Sequence, residues 1–453
     1  MQEIKPETRT IAAVATAVAP GQGGIAVIRL SGPDAQQAVL AVTRIPGDQP
    51  WESHRVLYGH VLDAAGAERL DEVLVLVMLA PRSFTGEDVV ELHCHGGVIA
   101  VQRVLQRVLE QPGVRRALPG EFSQRAVLNG RLDLTRAEAI SDLVGARSQR
   151  AAQLAMAGVD GGIQRRIESL RNRLLDQLSE LEARVDFEDD LPPLNGQILL
   201  AQLQAVRDEL VQLVAEAESS VALRQGLRVA LVGRPNVGKS SLLNRLSQRE
   251  RAIVTDLPGT TRDLLESEIV LEGVPITLLD TAGIRPTSDA VEQMGIARSH
   301  DALISADLVL LLFDLSVGWT PEDQELRDRI PAAVPHLLVG NKADLADHAA
   351  AADVCLSAVT GLGEAQLVQA LLERCGALTD GSVLLALNQR QADLARAAAQ
   401  SLDRSGEVAA DGLPWDFWTI DLRQAIHSLG EITGEELTES VLDRIFSRFC
   451  IGK

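Results

Sequence analysis

Short apolar runs separated by polar turns characterise the N-terminal part of the chain. Two of these runs, Gly24–Leu30 (GIAVIRL) and Glu72–Leu79 (EVLVLVML), have the length and the β-branched content of strands. Polar segments of variable length lie between them. The pattern predicts an α+β domain over residues 1–125.

Apolar residues recur at three- and four-residue steps in the next segment, which is typical of helices that bury one face. One stripe comprises Ile163, Ile167, Leu170, Leu174, Leu178, Leu181 and Val185, and a second comprises Leu203, Val206, Leu210, Leu213 and Ala217. An acidic segment with two prolines, at residues 186–193, separates them. We therefore expect a helical bundle over residues 126–225, with a second helical part at residues 377–453.

Continuous apolar runs without alternation mark residues 226–376. These runs are Leu227–Gly233, Ile276–Asp280, Leu308–Asp314, His336–Asp344 and Val354–Ala358. Strands that are apolar on both sides fit a parallel sheet covered by helices on both faces. The chain is thus predicted to be multidomain, with an α+β N-terminal domain, an all-α helical bundle and an α/β domain inserted into that bundle.

Composition and charge indicate a folded protein and limit how it can bind a membrane or RNA. Of the 453 residues, 46% are hydrophobic and 23% are charged, as in ordinary folded proteins. No apolar run approaches the roughly 20 residues that cross a bilayer, and the N-terminus has no secretory signal pattern, so we expect a cytoplasmic protein with no membrane partner. The net charge of −20 means that contact with RNA requires a local basic patch or a basic partner.

A phosphate-binding loop follows the first strand of the inserted domain. Gly233–Ser240 (GRPNVGKS) fits the pattern G-x-x-x-x-G-K-[ST] and lies between a predicted strand and a predicted helix. In such a loop, backbone N–H groups and the helix N-terminus surround the phosphates. Lys239 is expected to neutralise the β- and γ-phosphates, and the Ser240 hydroxyl is expected to bind Mg²⁺.

Three further motifs complete a site for guanine nucleotides. Asp280–Gly283 (DTAG) ends a strand, where its carboxylate can hold Mg²⁺ through water and its glycine amide can reach the γ-phosphate. Asn341–Asp344 (NKAD) ends another, and an aspartate there accepts hydrogen bonds from N1 and N2 of guanine, which adenine cannot donate. Ser357 and Ala358 follow the next strand and close the base pocket. The set predicts a P-loop GTPase domain.

The group that orients the attacking water is less evident. Ras-like enzymes place a glutamine after DTAG, whereas this chain has Ile284, which cannot orient water. Asn236 and the carbonyls of Thr255–Asp263 would suit a monovalent cation such as K⁺ beside the phosphates, although Asn236 is also a plausible loop-stabilising residue. Thr261 is the natural Mg²⁺ ligand in that segment. Glu292 is a candidate for aligning the water, with an exposed helix charge as the alternative.

These residues together resemble the MnmE, or TrmE, family of tRNA-modification GTPases. In the α/β domain the resemblance rests on GRPNVGKSSLLN, TDLPGTTRD, DTAGIR, VEQMGI and NKAD. Outside that domain it rests on PGQGGIAVIRLSG, SFTGEDVVELHCHGG, PGEFSQRAVLNGRLDL and the C-terminal FCIGK. The resemblance therefore covers nearly the whole chain.

For the G domain, the resemblance implies K⁺-dependent dimerisation across the nucleotide faces. The implied K⁺ ligands are Asn236, Thr255, Leu257 and Thr260, the implied Mg²⁺ ligands are Ser240 and Thr261, and the implied catalytic residues are Lys239 and Glu292. Motifs and resemblance together give this set of GTP-binding residues: Asn236, Val237, Gly238, Lys239, Ser240, Ser241, Thr255, Asp256, Leu257, Pro258, Gly259, Thr260, Thr261, Asp280, Thr281, Ala282, Gly283, Asn341, Lys342, Ala343, Asp344, Ser357, Ala358 and Val359.

For the N-terminal domain, the resemblance implies a tetrahydrofolate-binding fold that holds a constitutive homodimer. The implied folate-binding residues are Arg29, Glu91, Arg131 and Lys453. The folate, 5-formyl- or methylene-tetrahydrofolate, would supply one carbon to the wobble uridine of tRNA. The implied partner is the FAD-dependent protein MnmG, in a heterotetramer or larger complex. Cys450 is either a catalytic thiol near that carbon or an unreactive cysteine of the tail.

Two other functions stay open at this point. One is a ribosome-assembly GTPase of the Era or Der type, although those carry a basic RNA-binding domain or tandem G domains. The other is a folate-dependent one-carbon transferase in which the G domain only regulates. The chemical state of the tRNA wobble uridine separates the three.

Overall fold

The computed structural model describes residues 9–21, 23–186, 195–249, 266–280, 303–345, 352–377, 385–410, 414–435 and 438–452. The chain divides into two compact units. The first comprises residues 1–141, 164–179 and 423–453, and the second comprises residues 142–163 and 180–422.

A seven-stranded sheet forms the centre of the first unit. Its strands are β1 (Thr10–Val14), β2 (Ile25–Ser31), β3 (Thr43–Arg44), β4 (Arg55–Leu62), β5 (Arg69–Met78), β6 (Val89–His95) and β7 (Val114–Arg116). Their order is β3-β4-β5-β6-β2-β1-β7, and every pair is antiparallel except β1 with β7. The associated helices are α1 (Ala35–Val42), α2 (Val98–Leu109), α3 (Glu121–Leu128) and α4 (Leu134–Gly145).

Alternation along the central strands separates a core face from a second face of this sheet, which we call the Arg29 face. Ile28 and Leu92 are fully buried in one hydrophobic cluster with residues of α1 and α2. Arg29 and Glu91, one position along, lie on the opposite face, and the register of β2 and β6 pairs them directly. The two sequence-predicted strands are therefore confirmed as β2 and β5. The boundary predicted at residue 125 falls within α3.

Long helices follow, and they bury the apolar stripes that the sequence predicted. They are α5 (Gln149–Val159), α6 (Gly162–Asp186), α7 (Gly196–Ser219) and α8 (Val221–Gln225). The α6 stripe is buried from Ile163 to Leu181, and so is the α7 stripe. Asn195 caps α7, because its side-chain oxygen accepts from the N–H groups of Gln197 and Ile198. The predicted helix break is confirmed, since α6 ends at Asp186.

A six-stranded sheet forms the α/β part of the second unit. Its strands are β8 (Leu227–Gly233), β9 (Glu266–Leu271), β10 (Val274–Asp280), β11 (Leu308–Asp314), β12 (His336–Asn341) and β13 (Val354–Cys355). The order is β13-β12-β11-β8-β10-β9, and all pairs are parallel except β9 with β10. Described helices of this part are α9 (Lys239–Arg249), α10 (Pro321–Asp328) and α11 (Glu364–Arg374).

The predicted parallel sheet is confirmed, with three differences. The hairpin strand β9 was not predicted, the strand predicted to run to Asp344 ends at Asn341, and the strand predicted to run to Ala358 ends at Cys355. The second difference has a local cause, because Lys342 has a φ of 64°, which ends extended backbone.

Helices return after the α/β part: α12 (Gln389–Ala410), α13 (Trp415–Thr433) and α14 (Glu439–Phe446). Helix α12 packs along α7, and Arg207 of α7 donates to Asp403 of α12 at 2.8 Å. This pairing joins a helix before the α/β part to one after it, as expected for an inserted domain. Within the described ranges, no helix has both the length and the apolar character needed to cross a membrane.

Candidate functional site

The phosphate-binding loop lies between the end of β8 and the start of α9, at the carboxyl ends of the parallel strands. Gly238 has a φ of 99°, and a Cβ added there would overlap the side-chain amide of Asn341. A Cβ at Gly233 would overlap the backbone carbonyl of Leu312. The close approach of these groups explains why the motif requires glycine at both positions.

Lys239 is the first residue of α9 and is held inside the loop. Its Nζ donates to the carbonyls of Gly233 at 2.6 Å and Arg234 at 2.9 Å, and the residue is only 8% exposed. The ammonium group is thus fixed where the loop N–H groups and the helix N-terminus attract phosphate. Ser240 and Ser241 follow in the first turn and are exposed, so their hydroxyls are accessible to a ligand.

Asn341 connects the phosphate-binding loop to the proposed base pocket. Its Nδ2 donates to the Val237 carbonyl at 2.7 Å, and its Oδ1 accepts from the Ala358 N–H at 3.0 Å. The residue is 2% exposed. Ser357, also buried, accepts at its Oγ from the N–H of Thr360. The structure therefore brings three sequence motifs, which are more than 100 residues apart at the extremes, into one hydrogen-bonded group.

The two charged residues of the NKAD motif have different surroundings. Lys342 donates from Nζ to Asp314 Oδ2 at 2.5 Å. Burial acts to raise the pKa of Asp314, but the hydrogen bonds from Lys342 and Ser316 outweigh it and hold that pKa below its usual value. Asp344 is exposed, and its carboxylate makes no hydrogen bond or ion pair within the described part of the chain. It is therefore open to a donor from a ligand.

Ala343 and Val359 lie beside the residues of the proposed base pocket. The N–H of Ala343 donates to the carbonyl of Leu356 at 3.0 Å, which fixes the backbone just before Asp344. Val359 is 78% exposed beside the buried Ser357 and Ala358.

Asn236 lies in the phosphate-binding loop and is exposed, with a φ of 65°.

Part of the predicted nucleotide site lies outside the described residues. This holds for Thr255, Asp256, Leu257, Pro258, Gly259, Thr260, Thr261, Thr281, Ala282, Gly283 and Glu292, and for the terminal Lys453 of the folate set. Asp280 is the last residue of β10, at the same sheet edge as Gly233.

A second candidate site lies on the Arg29 face of the N-terminal sheet. Arg29 Nε donates to Glu91 Oε1 at 2.7 Å, and the guanidinium lies 5.8 Å from the ring centroids of both Phe84 and Phe122. His93 Nε2 is 3.1 Å from the other oxygen of Glu91. A carboxylate of this kind retains acceptor capacity for a further donor, since each oxygen carries two lone pairs.

The C-terminal tail meets this second site. Arg29 Nη1 donates to the Gly452 carbonyl at 3.3 Å, and the Gly120 N–H donates to the Cys450 carbonyl at 3.2 Å. Cys450 is exposed. Arg131 is also exposed, after α3, and within the described residues its guanidinium makes no hydrogen bond with Glu91.

A buried ion-pair network holds α3 under this site, and sequence reasoning missed it. Arg125 is 2% exposed and contacts Glu87 and Glu121, both at 3.1 Å. Glu121 also accepts from Arg115 and from the N–H of Leu118. Burial acts to raise the pKa of Glu121, but these hydrogen bonds and the charges of Arg115 and Arg125 together lower it. The network fixes Phe122 beside Arg29. In the described ranges, no cluster of three or more His, Cys, Asp or Glu residues is arranged to hold a metal ion.

Comparison with known proteins assigns the whole chain. Residues 10–131 match the family described as GTP-binding protein TrmE N-terminus, and residues 134–450 match the family described as MnmE helical domain. A tRNA modification GTPase MnmE of Synechococcus sp. (strain WH7803) is 82% identical over 100% of both chains. This chain belongs to the MnmE family. It is accordingly a GTPase with the multidomain layout predicted from its sequence.

Other MnmE relatives have a similar extent. The protein of Synechococcus sp. (strain CC9311) is 79% identical over 98% of both chains, and that of Prochlorococcus marinus (strain MIT 9313) is 71% identical over 99% of both. Among solved structures, Aquifex aeolicus Era bound to GDP and AlF₄⁻ is 26% identical over 39% of this chain and 66% of its own. Its TM-score of 0.28 is too low to bear on the assignment.

Two further ion pairs around the nucleotide site of this MnmE-family chain escaped sequence reasoning. Arg234 of the phosphate-binding loop donates to Asp323 at 2.8 Å, and Asp323 is fully buried at the start of α10. Arg245 of α9 donates to Glu364 at 2.9 Å. The sequence at residues 320–323 has a capping-box pattern, which signals the start of a helix, and the structure contains this capping box. The pattern does not predict which arginine binds Asp323.

Proposed function

We propose that this chain is a K⁺-dependent GTPase that acts with MnmG to install a (carboxymethyl)aminomethyl group at C5 of the tRNA wobble uridine. The observation that carries the proposal is the 82% identity, over the full length of both chains, to a relative named tRNA modification GTPase. Three further parts of the proposal, the K⁺ dependence, the MnmG partner and the folate chemistry, are those that the family resemblance implies. The cytoplasm is the proposed location, because tRNA is the proposed substrate.

In the proposed mechanism, this chain's own residues bind and orient GTP. Lys239 and the loop N–H groups bind the β- and γ-phosphates, and Asp344 accepts from N1 and N2 of the guanine. Ser240, Thr261 and Asp280 would hold Mg²⁺, which neutralises phosphate charge when bound. The exposed Ser240 hydroxyl, next to the buried Lys239, fits that role. Glu292 is proposed to orient the attacking water.

A K⁺ ion is proposed to bind at Asn236, Thr255, Leu257 and Thr260. Asn236 supports this, because its amide is exposed and makes no hydrogen bond within the described part of the chain. Its oxygen is therefore available as a ligand. When bound, the cation would supply positive charge beside the phosphates, the role that an arginine finger has in other GTPases.

Exchanging K⁺ for Na⁺ should slow GTP hydrolysis by roughly 10- to 100-fold, as expected when one electrostatic stabiliser of the transition state is weakened. The measurement is phosphate release at equal ionic strength in KCl and NaCl. Asn236→Gly should remove the K⁺ dependence while keeping the loop conformation, because glycine tolerates the observed φ of 65°. Equal rates in both salts for the unaltered protein would remove the cation from the mechanism.

The N-terminal unit is proposed to bind a tetrahydrofolate derivative through Arg29, Glu91, Arg131 and Lys453. Glu91 would accept hydrogen bonds from the donor edge of the pterin, and the cations would bind the glutamate tail of the folate. The contact of Arg29 with the tail residue Gly452 supports a shared site, because it places the FCIGK segment beside Glu91. Cys450 follows as a candidate thiol near the one-carbon unit.

The proposed assembly is a homodimer held by the N-terminal domains, in complex with MnmG. The proposed segments are residues 1–125 for folate binding and dimerisation, 126–225 and 377–453 for the helical domain, and 226–376 for the inserted G domain.

The decisive experiment for the proposed function is the analysis of wobble uridines in a strain that lacks this gene. We expect nucleoside mass spectrometry to show loss of the C5 substituent, and restoration by the intact gene but not by one encoding Lys239→Ala. Unchanged tRNA with altered ribosomal subunits would instead favour the ribosome-assembly alternative.

A further inference from the structure

We propose that Arg245 is a positioning residue for guanine recognition. It lies on α9, the helix of the phosphate-binding loop, and contacts the segment 357–363, which we call the base loop. The inference rests on the proposed assignment of that loop to the guanine pocket. It concerns a residue whose side chain contacts protein rather than nucleotide.

The first contact lies at the end of the base loop. Arg245 Nε donates to Glu364 Oε2 at 2.9 Å, and Glu364 is the first residue of α11. Glu364 is 9% exposed, so this ion pair is largely withdrawn from water on the carboxylate side. It therefore joins the helix that carries Lys239 to the helix that follows the base loop.

The second contact lies inside the base loop. Arg245 Nη1 donates to the Val359 carbonyl at 3.2 Å. Gly361 lies directly against the guanidinium, because a Cβ added there would overlap Arg245 Nη2. Gly361 also has a φ of 87°, so its conformation and its contact both favour glycine. The planar guanidinium thus fills the space beneath the middle of the loop.

The other hydrogen bonds of the base loop lie within the loop, join its start to Asn341 or join its later residues to α11. Asn341 accepts from the Ala358 N–H, the Ser357 N–H donates to the Leu362 carbonyl, and the Gly361 N–H donates to the Ser357 carbonyl. Among the described residues, Arg245 is the side chain from outside the loop that binds the Val359 carbonyl, near the middle of the loop. Loss of the guanidinium would therefore affect the middle of the loop while Asn341 still holds its start.

The effect of Arg245 on the base loop can be measured, because guanine has separate donor and acceptor groups. Asp344 recognises the donors N1 and N2, but the acceptor O6 needs a donor from the protein. The base loop, whose backbone lies next to Asn341, is the element that can supply that donor. Arg245 should therefore control the contribution of O6 to affinity and leave the contribution of the N2 amino group unchanged.

The test uses the full chain and three nucleotides. Guanosine diphosphate is compared with inosine diphosphate, which lacks the N2 amino group, and with 2-aminopurine riboside diphosphate, which lacks O6 and also the proton on N1. Because the proposed Asp344 contact involves both N1 and N2, the inosine comparison reports on Asp344, and a change confined to the 2-aminopurine comparison reports on O6. For Arg245→Ala we expect the preference for guanosine over 2-aminopurine diphosphate to fall about tenfold, as for one ordinary hydrogen bond. The preference for guanosine over inosine diphosphate should not change.

Matched variants separate positioning from folding. Arg245→Lys should recover part of the lost preference, because it keeps the charge near Glu364 but cannot contact Val359 in the same geometry. Arg327→Ala removes an exposed arginine from α10 and should change neither preference. Should Arg245→Ala fold poorly, Glu364→Gln keeps both side-chain volumes and should show the same selective loss in smaller degree.

Two outcomes would overturn the proposal. One is an unchanged preference for O6 in Arg245→Ala and Glu364→Gln. The other is an equal loss of affinity for all three diphosphates, which indicates only general loosening. If the unaltered protein itself shows no preference for guanosine over 2-aminopurine diphosphate, the guanine-site assignment fails instead, so the two failures are distinguishable.

Discussion

Asp344→Asn should exchange guanine for xanthine as the preferred base. A carboxylate accepts from both N1 and the N2 amino group of guanine, whereas an amide offers one acceptor and one donor, and the donor suits the C2 carbonyl of xanthine. Removing one partner of a hydrogen-bonded charge costs about 2–5 kcal/mol, which corresponds to roughly 30- to 5,000-fold in Kd. We expect a loss of guanosine diphosphate affinity in that range and a gain for xanthosine diphosphate.

The Asp344→Asn substitution should change base recognition without changing the stability of the fold. Asp344 is exposed and has no described hydrogen-bond partner, so asparagine should leave the melting temperature unchanged. Asp328→Asn, on the surface of α10, is a suitable control because its amide oxygen can still accept from Gln324. Isothermal titration with both diphosphates gives the two constants. A variant that still prefers guanine would remove Asp344 from the base pocket.

Glu91→Gln should weaken binding of 5-formyltetrahydrofolate by roughly 100-fold, given that hydrogen bonds to charged groups contribute about 1.5–3 kcal/mol each. The amide retains the size of the carboxylate but loses one acceptor and the negative charge opposite Arg29. Because Arg29 is three-quarters buried between two phenylalanine rings, the same change should also lower the free energy of unfolding, by about 1–3 kcal/mol.

Two comparisons show whether the effect belongs to the folate site. Glu68→Gln breaks an exposed pair with Arg103 on the same domain, which contributes little, so folate affinity and stability should both remain. Arg29→Gln should match Glu91→Gln in folate affinity, since it removes the other half of the pair. Full folate affinity in both site variants, measured by calorimetry, would contradict the proposed location.

Local sequence patterns anticipated the scaffold of the nucleotide site. Leu308–Asp314 is a run of apolar residues and forms a fully buried strand, because the central strand of a covered parallel sheet has no polar face. The phosphate-binding loop follows from glycines that a close backbone approach requires. Strand β9 was missed because it is an antiparallel strand at the sheet edge, where a polar residue such as Glu268 is tolerated.

Local sequence was sufficient to predict most strands, the helical stripes, the GKS loop, the NKAD motif and the family, because each of these depends on residues that are close together along the chain. The pairing of distant side chains became evident only from the fold. Arg29 and Glu91 are 62 residues apart, Arg245 and Glu364 are 119 apart, and Arg29 contacts a carbonyl 423 residues away. Such pairs depend on strand register and helix packing, which place a residue on one face of an element and choose its neighbour there, and no local pattern records that choice.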